Sequence, residues 1–242
     1  MESSRPVCPA KTLYTTKVED TQLENRVYDL QWFQNRAFAS LKKIDNGVWD
    51  FSDSVLLYTP DAEKKYETIQ QTDNAYYQEV TRPERDYLKK VASDIAESLP
   101  DKFEYIDLGP GTEHKEQFFF DELKKQNKDF IYKPVDINER FLRMATEYAD
   151  KQGLPVAPLL SPFEELPVRL DGFDNMRFVS LGLTYANYSP GEILPLLKSI
   201  AANKGQVFID VQIRDRINLK VITDIYSRNV YTISEPKLKL LG

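Results

Sequence analysis

The chain has 242 residues, enough for one large domain, or a domain with a cap, and enough to bury a real core. Hydrophobic residues make up 41% and charged residues 29%, and the net charge of −6 argues against a dedicated nucleic-acid binder, which needs a basic face for phosphates. No apolar run reaches the roughly 18 residues of a membrane span, and the first residues, MESSRPVCPAKT, lack the apolar core of a signal peptide. The single cysteine, Cys8, can close no internal disulfide, and no Cys/His metal spacing is present, so a cytoplasmic protein is expected.

After an irregular start interrupted by Pro6 and Pro9, Leu23, Val27, Leu30, Phe38 and Leu41 recur at helical spacing up to Lys43, and Asp45-Asn46-Gly47 is expected to stop this helical stretch. Val48–Tyr58 reads as an extended segment or a loop. A short helix follows Thr59-Pro60-Asp61, with Tyr66 and Ile69 on one face, and Asp73–Tyr77 reads as a loop. Thr81-Arg82-Pro83-Glu84 has the form of a capping box opening a helix that carries Tyr87, Leu88, Val91, Ile95 and Leu99 and closes at Pro100.

Strands and helices then alternate. Strands are expected at Phe103–Leu108, Phe130–Ile137, Pro155–Leu160, Asn175–Leu183 and Val207–Ile213. Helices are expected at Lys115–Lys125, with Phe118, Phe119 and Leu123 inward, at Glu139–Lys151, and at Pro190–Ala202 with Gly205 as its C-cap. This alternation means an α/β fold with a parallel sheet covered by helices on both faces. Leu219, Ile222, Ile225 and Tyr226 suggest one more helix.

The chemistry gathers at Asp107-Leu-Gly109-Pro-Gly111. A dinucleotide fingerprint needs a third glycine, and His114 stands at that position. One D-x-G-x-G turn followed by Asp136 at the end of the next strand fits S-adenosylmethionine (SAM) better, with the methionine part against the glycine backbone and the ribose hydroxyls on Asp136. Two simpler readings compete: a tight strand-to-helix turn at the glycines, and Asp136 as an N-cap. His114 reads as solvated surface. Beyond the fourth strand, Thr184, Tyr185, Asn187 and Tyr188 offer hydroxyl and amide groups where open sheets bind ligands, or merely cap the next helix.

From Leu56 to Asp215 the chain resembles the histidine-specific Nα-methyltransferases, SAM-dependent enzymes that trimethylate the amino group of histidine in ergothioneine synthesis. The likeness is carried by LLYTPDAEKKYETI, NAYYQEVTRPERDYL, DLGPGTEHK, KPVDINERFL, LGLTYANYSP and GQVFIDVQ, in that order. It implies a Rossmann-like class I SAM methyltransferase sheet with an N-terminal helical cap at 1–98, a SAM-binding domain at 99–215, and the start of a substrate lobe at 216–242. On this reading the chain stops before the rest of that lobe and before the closing C-terminal hairpin of the sheet. The resemblance assigns Tyr58, Gly109, Gly111, Lys115, Asp136 and Phe163 to SAM. It assigns Tyr76, Asn187 and Tyr226 to a small amino-acid or amine acceptor, with a non-catalytic SAM-binding protein as the alternative; a monomer without a metal is expected. One departure is Ser161-Pro162-Phe163, where the family often has Gly-Asp-Phe: Phe163 can still pack on the adenine, but the acidic partner of its amine is missing.

Overall fold

The computed structural model describes residues 27–112, 114–170, 176–212 and 218–241. Cys8, Leu23, Asn175 and the stretch from Ile213 to Asp215 lie outside them. Before the main sheet come helix α1 (Leu30–Ser40), a hairpin of β1 (Lys42–Asp45) and β2 (Val48–Asp50), a 3-10 turn (Ser54–Tyr58) and helix α2 (Pro60–Ile69). Asn46-Gly47 therefore turns a hairpin rather than only ending a helix. Gly47 has φ +78°, the left-handed geometry a two-residue hairpin turn requires, and Asn-Gly between extended residues is its sequence signal.

The segment read as a loop plus capping box is one continuous helical run. Ala75 and Tyr76 are already helical, a π turn occupies Tyr77–Thr81, and α3 (Arg82–Ser98) continues from it. Thr81 is helical (φ −67°, ψ −44°) and its hydroxyl donates to Gln70 Oε1 at 2.8 Å, so it caps nothing. Pro83 has no N–H to give to the preceding turn, and a widened turn at this point suits its missing donor.

The main sheet consists of β3 (Lys102–Leu108), β4 (Asp129–Asp136), β5 (Leu159–Leu160), β6 (Met176–Leu181) and β7 (Gln206–Ile209). They are all parallel, in the order β5-β4-β3-β6-β7. Alternate residues feed two cores, because side chains of a strand point to opposite faces. Phe103, Tyr105, Phe130, Tyr132 and Phe178 pack under α3, α4 (Gln117–Lys125) and α5 (Glu139–Lys151). Ile106, Leu108, Val135, Val179 and Leu181 pack under α6 (Leu166–Arg169) and α7 (Pro190–Ala201). On α4 the fully buried aromatics are Phe119 and Phe120, with Phe118 only half-buried at the rim.

The strands are less apolar than their patterns suggest. Glu104, fully buried on β3, takes Arg177 Nε of β6 at 3.2 Å and also pairs with Lys133 of β4. Helix α7 ends at Ala201 and the left-handed residue after it is Ala202 (φ +56°), not Gly205. Gly205 answers a different demand, since a Cβ there would lie 2.1 Å from the Ala201 carbonyl oxygen. After β7 come α8 (Leu219–Ile225), a second π turn (Tyr226–Val230) and α9 (Tyr231–Leu238), which pack against the N-terminal elements. Among the described residues no helix is long and apolar enough to cross a membrane.

Candidate functional site

The chain builds β3, β4 and β5 outward in one direction and then returns to place β6 on the other side of β3. The crevice where the strand order reverses therefore opens between the carboxyl ends of β3 and β6. Gly109 and Gly111 follow β3 with φ +69° and +67°, values that favour glycine, and the Gly109 N–H donates to the Val135 carbonyl at 2.9 Å. Below the turn, Asp107 accepts from Tyr132 Oη at 2.8 Å and Ser180 Oγ at 2.7 Å. Burial first, and the Glu116 charge second, push its carboxyl up to about 6.

The His114 side chain, expected as solvated surface, is 35% exposed and is held on its other side. The residue has φ +47°, its ring stacks on Tyr148 at 4.3 Å, and its Nδ1 lies 3.3 Å from the buried Glu116 carboxylate. Among the described residues no group of His, Cys, Asp and Glu has the arrangement of a metal site.

Asp136 ends β4 with its carboxylate buried, accepting the Asn138 N–H at 2.8 Å, and burial pushes it up to about 7. It does not cap α5: the Asn138 side chain does, accepting from the Arg140 and Phe141 amides. Helix α2 is clamped beside this carboxylate, because Glu63 accepts from Asn138 Nδ2 at 3.1 Å and from Arg140 Nη1 at 2.7 Å. Tyr58, at the end of the 3-10 turn, accepts from Asn187 Nδ2 at 2.8 Å, and burial pushes its phenol up to about 12.

Tyr76 and Tyr226 each stand at the entrance to a π turn, with ring centroids 5.7 Å apart. Asn74 ties the two turns together: its Oδ1 accepts the Tyr76 N–H at 2.8 Å and its Nδ2 donates to Asn229 Oδ1 at 3.4 Å. Two widened turns facing each other set the direction of both phenols, a use of π geometry common at functional sites.

These pieces meet in one cavity of 330 Å³. Eight of the nine residues that the resemblance assigned to cofactor and acceptor line it: Tyr58, Gly109, Gly111, Lys115 and Asp136, and with them Tyr76, Asn187 and Tyr226. Phe163 does not. Its ring is buried among Leu108, Leu166 and Leu181 and lies 3.7 Å from where a Gly109 Cβ would stand, supporting the turn from below. A neighbouring cavity of 490 Å³ shares Tyr58, Glu63 and Asn138 and continues past Ile137 and Leu160. Thr184 also lines the first cavity, whereas Tyr185 and Tyr188 pack in the core beside α7. Sequence reasoning missed Glu84 and Gly182. Glu84 was absorbed into the apparent capping box, and Gly182 could have been noticed as a glycine directly after a buried strand.

A parallel sheet in this order, with a glycine turn after its first strand and a carboxylate ending the second, defines a class I SAM-dependent methyltransferase. The chain belongs to the histidine-specific, SAM-dependent methyltransferase family, whose sequence pattern matches residues 40–213. SAM is accordingly its cofactor. No curated protein sequence matches the chain.

Similar solved structures include a SAM-dependent methyltransferase from Aquifex aeolicus, 18% identical over 60% of this chain and 87% of that one, with a TM-score of 0.39. TrmK of M. capricolum, solved with S-adenosylhomocysteine, is 18% identical over 55% of this chain and 56% of its own, with a TM-score of 0.35. The bifunctional kinase-methyltransferase WbdD is 14% identical over 64% of this chain, with a TM-score of 0.39, and the chain spans only 33% of its length.

Proposed function

We propose that this protein transfers methyl groups from SAM to the α-amino nitrogen of a small amino acid, with histidine, the acceptor of its family, as the first candidate. The observation carrying this reading is the single cavity that joins the glycine turn and Asp136 to Tyr76, Asn187 and Tyr226. In it Gly109, Gly111 and Lys115 hold the methionine part, Asp136 accepts from the ribose hydroxyls, and Tyr58 closes the space between cofactor and acceptor. Ile137 and Leu160 offer the apolar surface for the base, taking over from Phe163.

SAM supplies an electrophilic methyl on a sulfonium. The chain must hold a neutral amine in line with it, and such positioning is worth up to about 7–11 kcal/mol. Asn187 carries both an amide donor and an amide acceptor for the acceptor's amino-acid end, and the faces of Tyr76 and Tyr226 suit a nitrogen whose positive charge becomes permanent on full methylation, at about 0.5–2 kcal/mol per contact.

The experiment is incubation with SAM and each of the twenty amino acids, with mass detection of methylated product. Methylated histidine supports the reading, and its absence across the panel overturns it. Tyr76→Phe is expected to raise KM for the acceptor several-fold while leaving S-adenosylhomocysteine affinity unchanged. A second reading, an acceptor with a larger apolar side chain, is favoured by the cavity wall of Tyr66, Ile69, Leu183 and Ile233. The same panel distinguishes it.

A further inference from the structure

The cavity also holds a buried carboxylate, Glu84, that neither the proposed cofactor contacts nor the acceptor contacts use. Lys115 Nζ donates to Glu84 Oε1 at 2.7 Å, with the two side chains 19% and 6% exposed. Both line the cavity. The pair is pressed against Gly182, where a Cβ would lie 3.3 Å from Lys115 Nζ and 3.4 Å from Glu84 Oε1. Gly182 directly follows β6 as Gly109 follows β3, so the ion pair stands at the crevice where the strand order reverses. That is the methionine end of the proposed cofactor path, remote from the ribose carboxylate Asp136 on β4.

Behind the pair lies Asp210, the residue after β7, anchored by its N–H to the Leu181 carbonyl at 3.0 Å. Its Oδ2 is buried and without a hydrogen-bond partner among the described residues, and its carboxyl faces that of Glu84. Burial holds both carboxyls above their ordinary range, with Lys115 opposing. The groups facing Glu84 are thus Lys115 before α4, Asp210 after β7, and the Tyr226 phenol, which feels the Glu84 charge.

An amino-acid zwitterion needs a cation for its carboxylate and an anion for its ammonium, and this corner holds one of each. A bare nucleoside would use neither. Keeping an ion pair and a second carboxylate out of water is costly unless a ligand gains from it.

We propose that Glu84, held by Lys115 and backed by Asp210, accepts hydrogen bonds from the α-ammonium of the methionine part of SAM, so that this corner selects the amino-acid end of the cofactor. The inference rests on reading the cavity as the SAM site.

The test is calorimetric binding of three probes: S-adenosylhomocysteine, its analogue lacking the amino group, and methylthioadenosine, which ends at the sulfur. Wild-type protein is expected to prefer S-adenosylhomocysteine over the deaminated analogue by about ten- to a hundredfold, the worth of a hydrogen bond to a charged group. In Glu84→Gln, whose amide can still accept from Lys115 and donate to Asp210, that preference disappears while methylthioadenosine affinity is unchanged. If Glu84→Gln fails to fold, a reduced preference in Asp210→Asn supports the proposal. Equal wild-type affinity for the two full-length probes overturns it, as does an undiminished preference in the variants. Wild-type protein that binds none of the three overturns the assignment of the cavity itself.

Discussion

Replacing Asp136 by Asn should make the protein more stable and less able to hold its cofactor. The carboxyl is 6% exposed, and burial lifts it from 3.8 in the unfolded chain to about 7. A folded-state value above the unfolded one means that the native protein binds the proton more tightly, so the stabilisation is complete at low pH and is lost as pH rises through about 7. At about 1.4 kcal/mol per unit, the loss from this one group between roughly pH 5 and pH 8 comes to about 2–3 kcal/mol. Asn keeps an oxygen for the Asn138 amide and does not ionise, so its stability curve lacks that fall. Asp107, lifted to about 6, is present in both proteins, so the difference between the curves reports Asp136 together with its repulsion by Asp107.

The measurement is urea unfolding of both proteins across this pH range, alongside calorimetry with S-adenosylhomocysteine. Ribose hydroxyls donate to the ionised form, so wild-type affinity is expected to rise with pH through about 7 and binding to release a proton. Asp136→Asn should bind about a hundredfold more weakly, the loss of two hydrogen bonds to a charged acceptor. Parallel stability curves for the two proteins would refute the burial argument, and equal affinity would refute the assignment of Asp136 to the ribose.

Gly109→Ala should cost about 1–2 kcal/mol through the left-handed backbone at φ +69° rather than through crowding, since the nearest atom to its Cβ is Thr184 Oγ1 at 3.4 Å. A melt with and without S-adenosylhomocysteine should show a Tm lower by about 2–8 °C and a smaller ligand-induced rise, and an unchanged melt would count against the turn's strain. Arg177→Met leaves the fully buried Glu104 with Lys133 alone and should destabilise by about 3–5 kcal/mol in denaturant unfolding. Adding Glu104→Met should recover most of the loss, and no recovery would show that Arg177 matters through its carbonyl contacts instead.

The amino-acid sequence by itself determined the parallel strands, the glycine turn and the carboxylate that ends β4. These depend on local rules: an apolar run of strand length, glycine where the backbone must be left-handed, and an acidic residue at a set distance along a β-α-β unit. The D-x-G-x-G turn also separated SAM from a dinucleotide, because His114 fills the place of the third glycine. The same local rules misled where a distant contact overrode them. Thr81-Arg82-Pro83-Glu84 has every mark of a helix start, yet the helix begins earlier, because Tyr76 and Val80 are buried against Ile225 and a π turn absorbs Pro83. Glu84 then points away from any cap and toward Lys115, 31 residues later in the chain. Tertiary structure alone decided that Tyr58 meets Asn187 across 129 residues and that Tyr76 faces Tyr226. Such encounters are set by how the helices settle on the sheet, and no periodicity along the chain records them.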